Sequence, residues 1–125
     1  MSFSLQSNVG KVSALLERKL EQVVSDTAHN IQGHIRTDMA EEKHGRKYGN
    51  HVASAPGESP AIDTGFLANS IQVEADGLTA SVGTNAEYAE HLEFGTSRME
   101  PRPFFGPAFE AERPVFEKAL ADALK

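Results

Sequence analysis

Residues 83–108 read GTNAEYAEHLEFGTSRMEPRPFFGPA and are the most unusual part of this 125-residue sequence. They place three glycines, three prolines and four aromatic residues within 26 positions. Glycine allows unusual backbone angles and proline removes a hydrogen-bond donor, so the stretch cannot form one regular element. Its aromatic rings need apolar partners. The pattern predicts a shaped connection, favours a structural or assembly role and contains nothing typical of a catalytic centre.

The first part of this stretch, residues 85–94, predicts a short helix that Asn85 caps and Gly95 ends, because glycine is favoured just after a helix. The segment from Gly95 to Arg102 is predicted to be extended or strand-like. The stretch then leads into a final helix.

Residues 107–124 predict that final helix, with Pro107 in the first turn, where proline is tolerated. Pro114 falls inside this range, and a proline there removes a backbone N–H and crowds the preceding turn. The helix is therefore predicted either to begin near Glu112 or to kink at Pro114.

A β-hairpin is predicted immediately upstream. Residues 71–75 alternate apolar and polar side chains, as a half-buried strand does. Asp76-Gly77 is a strong signal for a tight hairpin turn, and residues 78–83 provide the return strand. The face of that return strand predicted to point inward carries Leu78, Ala80 and Val82.

Two further segments precede the hairpin. Residues 64–71 predict a short helix with Asp63 or Thr64 as its cap and an apolar side formed by Phe66, Leu67 and Ile71. Residues 40–63 contain three glycines and two prolines and predict a long, flexible loop. Loops of that length are usually functional or disordered, so two interpretations stay open: the loop orders on binding a neighbouring molecule, or it is a flexible insertion.

A long helix is predicted over residues 8–39, with Ser7 or Asn8 as its cap. Its apolar positions recur at intervals of three and four and their sums, which is the helical period. Gly33 weakens the prediction locally, since glycine costs about 1 kcal/mol relative to alanine within a helix. The apolar positions are Val9, Val12, Leu16, Leu20, Val23, Ile31 and Ile35.

Together these elements predict one α+β domain over residues 1–125, with a long N-terminal helix and a C-terminal helix packed on a small antiparallel sheet. The loop over 40–63 joins the first helix to an α+β body over 64–125. Hydrophobic residues make up 39% of the chain, which allows only a modest core. Association with further copies is therefore a plausible source of additional stability.

The composition excludes several classes of function. The absence of cysteine excludes disulfides and thiol chemistry. The net charge of −6 does not suggest a nucleic-acid-binding surface, and the basic residues Lys43, His44, Arg46 and Lys47 are diluted by neighbouring acids. Neither a signal peptide nor an apolar run long enough for a membrane helix is found, so a soluble protein made in the cytosol is expected.

No catalytic, cofactor-binding or metal-binding residues are predicted. The five histidines lack the spacing of a metal site on a helix. Glu87, Glu90 and Glu93 are predicted to form a solvated acidic face of the 85–94 helix, since such faces are far commoner than acid–base pairs. That face also offers a docking surface for a basic partner, for which Arg98, Arg102 and Arg113 of an adjacent copy are candidates.

The aromatic residues of the 83–108 stretch are expected to serve either the core or an interface. Adjacent residues of an extended segment point to opposite sides, so either Phe104 or Phe105 is predicted to face outward. An outward-facing phenylalanine there favours an interface with a partner.

Several separated motifs occur in an order that resembles the tail-component family of long-tailed bacteriophages, namely the tail-completion or head–tail connector proteins of HK-type lambdoid phages and prophages. The resemblance covers about residues 53–112, and the preceding long helix fits it less specifically. Ser59 stands where the family often has the first of two prolines. The motifs are Ala55-Pro56-Gly57, Thr64-Gly65, Ser70-Ile71, Val82-Gly83-Thr84, Glu93-Phe94-Gly95-Thr96 and Arg102-Pro103-Phe104.

The resemblance implies a non-enzymatic virion protein of the neck or upper tail, made in the host cytoplasm, without cofactors. It implies a closed ring, expected to be hexameric, that contacts tail-tube and head–tail connector proteins and does not engage a membrane. DNA would pass through such a ring only as cargo, which an acidic conduit would not retain. The candidate interface residues are Tyr88, Glu93, Phe94, Gly95, Thr96, Arg102, Pro103, Phe104 and Phe105.

Two alternatives remain open at this point. A prophage-encoded regulatory or toxin–antitoxin-like binding module would form a small dimer and bind a soluble host protein. A small acid–base enzyme would require Glu90 or Glu93 for turnover while its assembly was unaffected by their loss.

Overall fold

A computed structural model describes residues 1–6, 13–41, 43–45, 47–48, 51–60 and 65–125. It confirms the α+β class: two long helices pack with a small antiparallel sheet. The elements in chain order are β1 (Ser2–Gln6), α1 (Ala14–Ala40), β2 (Lys47–Tyr48), β3 (His51–Val52), α2 (Phe66–Ser70), β4 (Gln72–Asp76), β5 (Thr79–Gly83), α3 (Ala89–Phe94) and α4 (Phe105–Ala123).

The main sheet has the strand order β1-β5-β4, and both pairs are antiparallel. The strand β1 was not predicted. Its Phe3 lies opposite Val82, and its Leu5 lies opposite Ala80. Phe3 and Leu5 alternate with serines, and this alternation is typical of a strand. No predicted strand follows it directly in sequence, so the hairpin signal is missing. Only the folded chain brings β1 to a partner far along the sequence.

The predicted hairpin is confirmed, but its turn lies one residue later than expected. Asp76 pairs with Thr79, so the connecting residues are Gly77 and Leu78. Gly77 has φ +60°, whereas no residue other than glycine among those described has positive φ. An Asp-Gly turn of the predicted kind needs positive φ at both residues, which Asp76 does not adopt. The other common two-residue hairpin turn, type II′, needs positive φ only at its first residue, which here is Gly77.

The long helix α1 begins six residues later than predicted. Ser13 is extended, with φ −65° and ψ 157°, and its hydroxyl accepts a hydrogen bond from the Leu16 N–H at 3.3 Å. Serine is a favoured N-cap, so Ser13 begins the helix. The predicted caps Ser7 and Asn8 lie outside the described residues. The buried residues of the helix are Leu20, Val24, Thr27, Ala28, Ile31, Ile35 and Met39.

Side chains of α1 also fix the segment between α2 and β4. Gln32 donates a hydrogen bond from Nε2 to the Ile71 carbonyl oxygen at 2.7 Å. Arg36 donates to the Ala68 and Ile71 carbonyl oxygens at 3.0 and 3.3 Å. These carbonyls end α2 and lack helical partners of their own. The long helix therefore positions the hairpin through polar contacts as well as through its apolar side.

The predictions for the shorter helices are confirmed in type and corrected in extent. α2 lies within 64–71, and its predicted caps fall outside the described residues. α3 begins at Ala89 rather than at Asn85, because the Ala89 N–H donates to the Ala86 carbonyl in a turn that precedes the helix. Gly95 ends α3, as predicted.

α4 begins two residues before Pro107 and continues through Pro114 to Ala123. A start near Glu112 is therefore wrong. The first turn of the helix packs into the core at Phe105 and Ala108, and this burial holds the helix in place ahead of the proline. Tertiary contacts thus override the local cost of a proline within a helix.

The loop predicted over 40–63 contains more regular structure than expected. β2 and β3 pair within it as a short antiparallel ribbon. The Lys43 ammonium group is buried and donates to the Asp38 carbonyl at 2.5 Å and to the Ser59 hydroxyl at 2.7 Å. Ser59 itself donates to the same carbonyl at 2.8 Å. Both side chains attach the loop to the C-terminal turn of α1, where carbonyl groups lack helical partners.

Glu58 closes the other end of this loop. Its carboxylate accepts hydrogen bonds from the backbone N–H groups of Ala55 and His44, at 2.7 and 2.9 Å. The His44 ring nitrogen Nδ1 lies 2.7 Å from the second carboxylate oxygen. The hydrogen bond from Ala55, followed by those from the His44 ring and backbone, lowers the pKa of Glu58 from 4.5 to about 2.

The loop closure at Glu58 is expected to resist acid. A pKa lowered by folding contributes stability in full above 4.5, and this contribution is lost as pH falls toward the folded value of about 2. The side-chain carboxyl resonance of Glu58, followed by NMR from pH 7 to pH 1.5, should titrate near 2 together with the Ala55 amide. A midpoint close to 4.5 would show that these hydrogen bonds do not form in solution.

Candidate assembly surface

The order of residues in the 83–108 stretch is explained first by Glu93, near the end of α3. Its carboxylate accepts hydrogen bonds from three consecutive backbone N–H groups, those of Phe104, Phe105 and Gly106, at 2.9, 2.7 and 3.1 Å. These groups begin α4 and have no partner within that helix. A carboxylate is also favoured at the positive end of the helix dipole. Glu93 therefore caps α4 from another element.

This geometry corrects the prediction of an acidic face. Glu93 is only 7% exposed, whereas Glu87 and Glu90 lie on the surface. A buried carboxylate needs hydrogen-bond partners, and the start of α4 provides them. The side chain of Glu93 is thus committed to the fold and is not available to dock a basic partner.

The prediction that either Phe104 or Phe105 faces outward is wrong, since both are fully buried. Opposite directions would require an extended segment, but Phe104 is the N-cap residue of α4 and Phe105 is the first residue of the helix. The chain turns between them, so both rings reach the core, with centroids 4.8 Å apart. Phe105 also stacks on Phe3 of β1 at 4.9 Å.

The segment between α3 and α4 makes a tight turn where an extended segment was predicted. Thr96 and Met99 form an isolated bridge, with the Thr96 N–H 2.8 Å from the Met99 carbonyl. The Thr96 hydroxyl accepts a hydrogen bond from the Arg98 N–H at 3.2 Å. Gly95 precedes this turn with φ +75° and ψ 179°, a combination that is essentially restricted to glycine.

Arg102 joins the turn to the 40–63 loop. Its backbone N–H donates to the Leu92 carbonyl at 2.6 Å, and its Nε donates to the Ser54 carbonyl at 3.2 Å. The Gly57 N–H donates to the Pro101 carbonyl at 2.9 Å, which adds a second contact between the two segments. Pro103 is half-buried. Arg102 therefore acts within the chain in this structure.

The remaining candidates lie on the surface. Tyr88 is 43% exposed, Phe94 is 66% exposed, and Thr96 is also exposed. Sequence reasoning placed Phe66 on the apolar side of α2, but it is 59% exposed, and its ring lies 6.4 Å from that of Tyr88. The interface role of Tyr88, Phe94 and Thr96 stays a prediction. Phe66 is an addition that a five-residue helix is too short to reveal by periodicity.

Within the described residues, no cluster of three or more histidine, cysteine, aspartate or glutamate side chains has a geometry suited to a metal ion. Among the helices so described, none combines the length and apolar character required to cross a membrane. What the 83–108 stretch builds is a polar and aromatic junction of α3, α4 and β1.

These features define a small α+β protein whose glycine, proline and glutamate motifs shape its backbone and whose surface displays several large aromatic side chains. That class agrees with a component of a larger protein assembly. The chain belongs to the family described as "Bacteriophage HK97-gp10, putative tail-component", whose sequence model matches residues 3–95. The match extends upstream of the 53–112 segment through α1 and β1, and it ends at Gly95, before the Arg102-Pro103-Phe104 motif. No curated protein and no solved structure was found to match the chain.

Proposed function

We propose that this protein is a non-enzymatic structural component of the phage neck or upper tail, where it acts in tail completion or head–tail joining. The observation that carries the proposal is its membership in a bacteriophage tail-component family. The buried position of Glu93 supports a structural role, since one of the two glutamates that an acid–base enzyme could use is engaged by three backbone N–H groups of α4.

The proposed active form is a closed ring of identical chains, sixfold where it meets the tail tube. Rings arise from head-to-tail contacts that close by rotation, and each copy then presents two different surfaces. Exposed large side chains on separate elements, including Phe94 on α3 and Val115 on α4, support more than one contact surface on each copy. The proposed partners are further copies, the tail-tube protein and the head–tail connector, with DNA passing through the ring as cargo.

The test is to measure mass in solution and to image the protein by negative stain, alone and mixed with the tail-tube and connector proteins of its phage. Closed rings, or density added at one end of the tubes, would support the proposal. A compact dimer that ignores both partners would contradict it and would favour a regulatory or toxin–antitoxin-like module.

Replacing Phe94 with serine is expected to weaken assembly without weakening the fold. The phenyl ring of Phe94 is mostly exposed to solvent, so the free energy of unfolding should change by no more than about 0.5 kcal/mol. Loss of an aromatic anchor at an interface typically costs about 2 kcal/mol or more, which corresponds to roughly 30-fold weaker binding. Titration with tail tubes measures the binding, and urea unfolding measures the stability.

The matched control for Phe94→Ser is Glu90→Ser, which changes an exposed polar residue of the same helix. The control should preserve both binding and stability. Equal binding by the two variants would exclude Phe94 from the interface.

A further inference from the structure

The three-stranded sheet ends in two edges that bear no strand among the described residues. β1 and β4 each pair only with β5, which lies between them. An edge strand exposes backbone N–H and C=O groups that can pair with another strand. The two edges are not alike, because different elements flank them.

The edge at β1 faces a groove of about 440 Å³ between β1, α1 and α4. Its floor is apolar and is formed by Leu5, Ile31, Phe109 and Phe116. The charged residues Glu110, Arg113 and Glu117 of α4 lie along its rim. An open strand edge that runs beside a helix, with apolar floor between them, is the arrangement by which proteins accept an added β-strand.

The edge at β4 presents a regular strand whose two acidic residues, Glu74 and Asp76, both lie on its outer face. Its five residues match β5 in uninterrupted register, and they include neither proline nor lysine. Ala75 lies opposite Ala80, so both point to the inner face of the sheet. Ala80 is buried, yet Ala75 is exposed, and Val73 is only half-buried. The inner face of β4 therefore lacks cover that the opposite edge has from α4.

We propose that β4 of one copy adds to the β1 edge of the next, with its inner side chains Val73 and Ala75 directed into the groove beside α4. This inference rests on the proposed ring and names the contact that builds it. The occupant follows from the chain itself, which supplies both an uncovered five-residue strand and a groove open to one. Glu74 and Asp76 point to the outer face of the sheet, away from the acidic rim of the groove.

Strand direction agrees with a ring. Both β1 and β4 run antiparallel to β5, so they run parallel to each other. Head-to-tail addition then continues the sheet through a parallel pair, β4 of one copy with β1 of the next. The extended sheet still has a free β1 at one end and a free β4 at the other. A contact of this kind repeats until rotation closes it. Pairing of β4 with β4 about a twofold axis would instead stop at a dimer and leave the groove empty.

A cysteine pair tests this contact directly, since the chain contains no cysteine of its own. Ser4 and Glu74 both lie opposite Ser81, on either side of β5. Two strand spacings separate them within one chain, roughly 9.6 Å, which exceeds the reach of a disulfide at about 7 Å. The double variant Ser4→Cys/Glu74→Cys can therefore form a disulfide only between copies.

Under mild oxidation, the double variant is expected to give a ladder of covalent multimers beyond the dimer, whereas each single variant is not. The proposal does not specify which residue of β4 lies opposite Ser4 of the next copy. Gln72→Cys and Asp76→Cys are therefore each combined with Ser4→Cys in the same way. A double variant with cysteines at the exposed positions Glu90 and Lys118 controls for random collision. The absence of a ladder for all three pairs, or a dimer from Glu74→Cys alone, would overturn the proposal.

A second pair of variants places one charge on each face of β4. Ala75→Glu directs it into the proposed groove, whose rim carries Glu110 and Glu117, and is expected to weaken assembly at least about tenfold, since an unpaired charge is costly to bury. Gln72→Glu directs the same side chain to the outer face and should assemble normally. Equal assembly by both would overturn the proposal. If mass measurements show rings but oxidation of the double variants gives no cross-links, this contact alone is refuted. If the protein does not bind to tail tubes, the proposed function is refuted.

Discussion

Replacing Glu93 with alanine is expected to lower the free energy of unfolding by about 4 kcal/mol, since each backbone N–H left without an acceptor in a buried site costs about 1–3 kcal/mol. The carboxylate accepts from three such groups at the start of α4, and the N–H groups of Phe104 and Phe105 belong to fully buried residues. Alanine offers no acceptor, and no side chain of α4 itself caps the helix.

Urea unfolding followed by circular dichroism measures this loss. Glu90→Ala is the matched control, because it removes an exposed glutamate from the same helix and should change stability by at most about 0.5 kcal/mol. Glu93→Gln should fall between the two, since an amide keeps one oxygen acceptor and turns an NH₂ group toward an N–H donor. Equal stability of the Glu93 and Glu90 alanine variants would contradict the capping role.

Replacing Gly95 with alanine is expected to cost about 3 kcal/mol or more, combining backbone strain of about 1–3 kcal/mol with steric overlap. The residue has φ +75° and ψ 179°, which side chains disfavour. A Cβ atom would also lie 2.8 Å from the Met99 carbonyl oxygen and 2.9 Å from Pro101 Cδ. The turn that connects α3 to α4 would have to move, and with it the contact between Glu93 and α4.

Gly33→Ala is the control for this second change. Gly33 lies within α1, and a Cβ atom there would meet nothing within 4 Å. Alanine should therefore raise stability, by up to about 1 kcal/mol, because glycine is the poorer helix former. Thermal and urea unfolding of both variants give the comparison. A Gly95→Ala protein as stable as the parent would show that the turn adopts another conformation in solution.

These two changes and the surface change at Phe94 separate folding from assembly. Glu93 and Gly95 act on the single chain, so assembly should fail in proportion to the fraction unfolded. Phe94→Ser should leave the chain folded and affect only its binding. The comparison thus distinguishes two residues that shape the backbone from one that is proposed to face a partner.

Much of the fold was predictable from local patterns. The apolar period of α1, the alternation in β4 and β5 and the glycine after α3 each identify an element from neighbouring residues alone. The strand β1 was missed because its partner is distant in sequence. The helix α4 was predicted to start late because Pro114 is locally unfavourable, whereas burial of Phe105 sets its actual start.

For the candidate surface, the sequence identified the right segment and misjudged the direction of its side chains. It selected Glu93, Phe104 and Phe105 as residues of consequence, but it placed Glu93 on a solvated face and directed one of the two phenylalanines outward. Composition and period determined by themselves the α+β class and the order of the helices and hairpin, whereas the resemblance to phage tail components rested on separated motifs. Only the tertiary structure decided that Glu93 caps α4, that both phenylalanines are buried and that β1 and β4 lie at opposite edges of one sheet. Local patterns report which side chains are apolar or charged, whereas burial and capping depend on contacts between segments that meet only after folding.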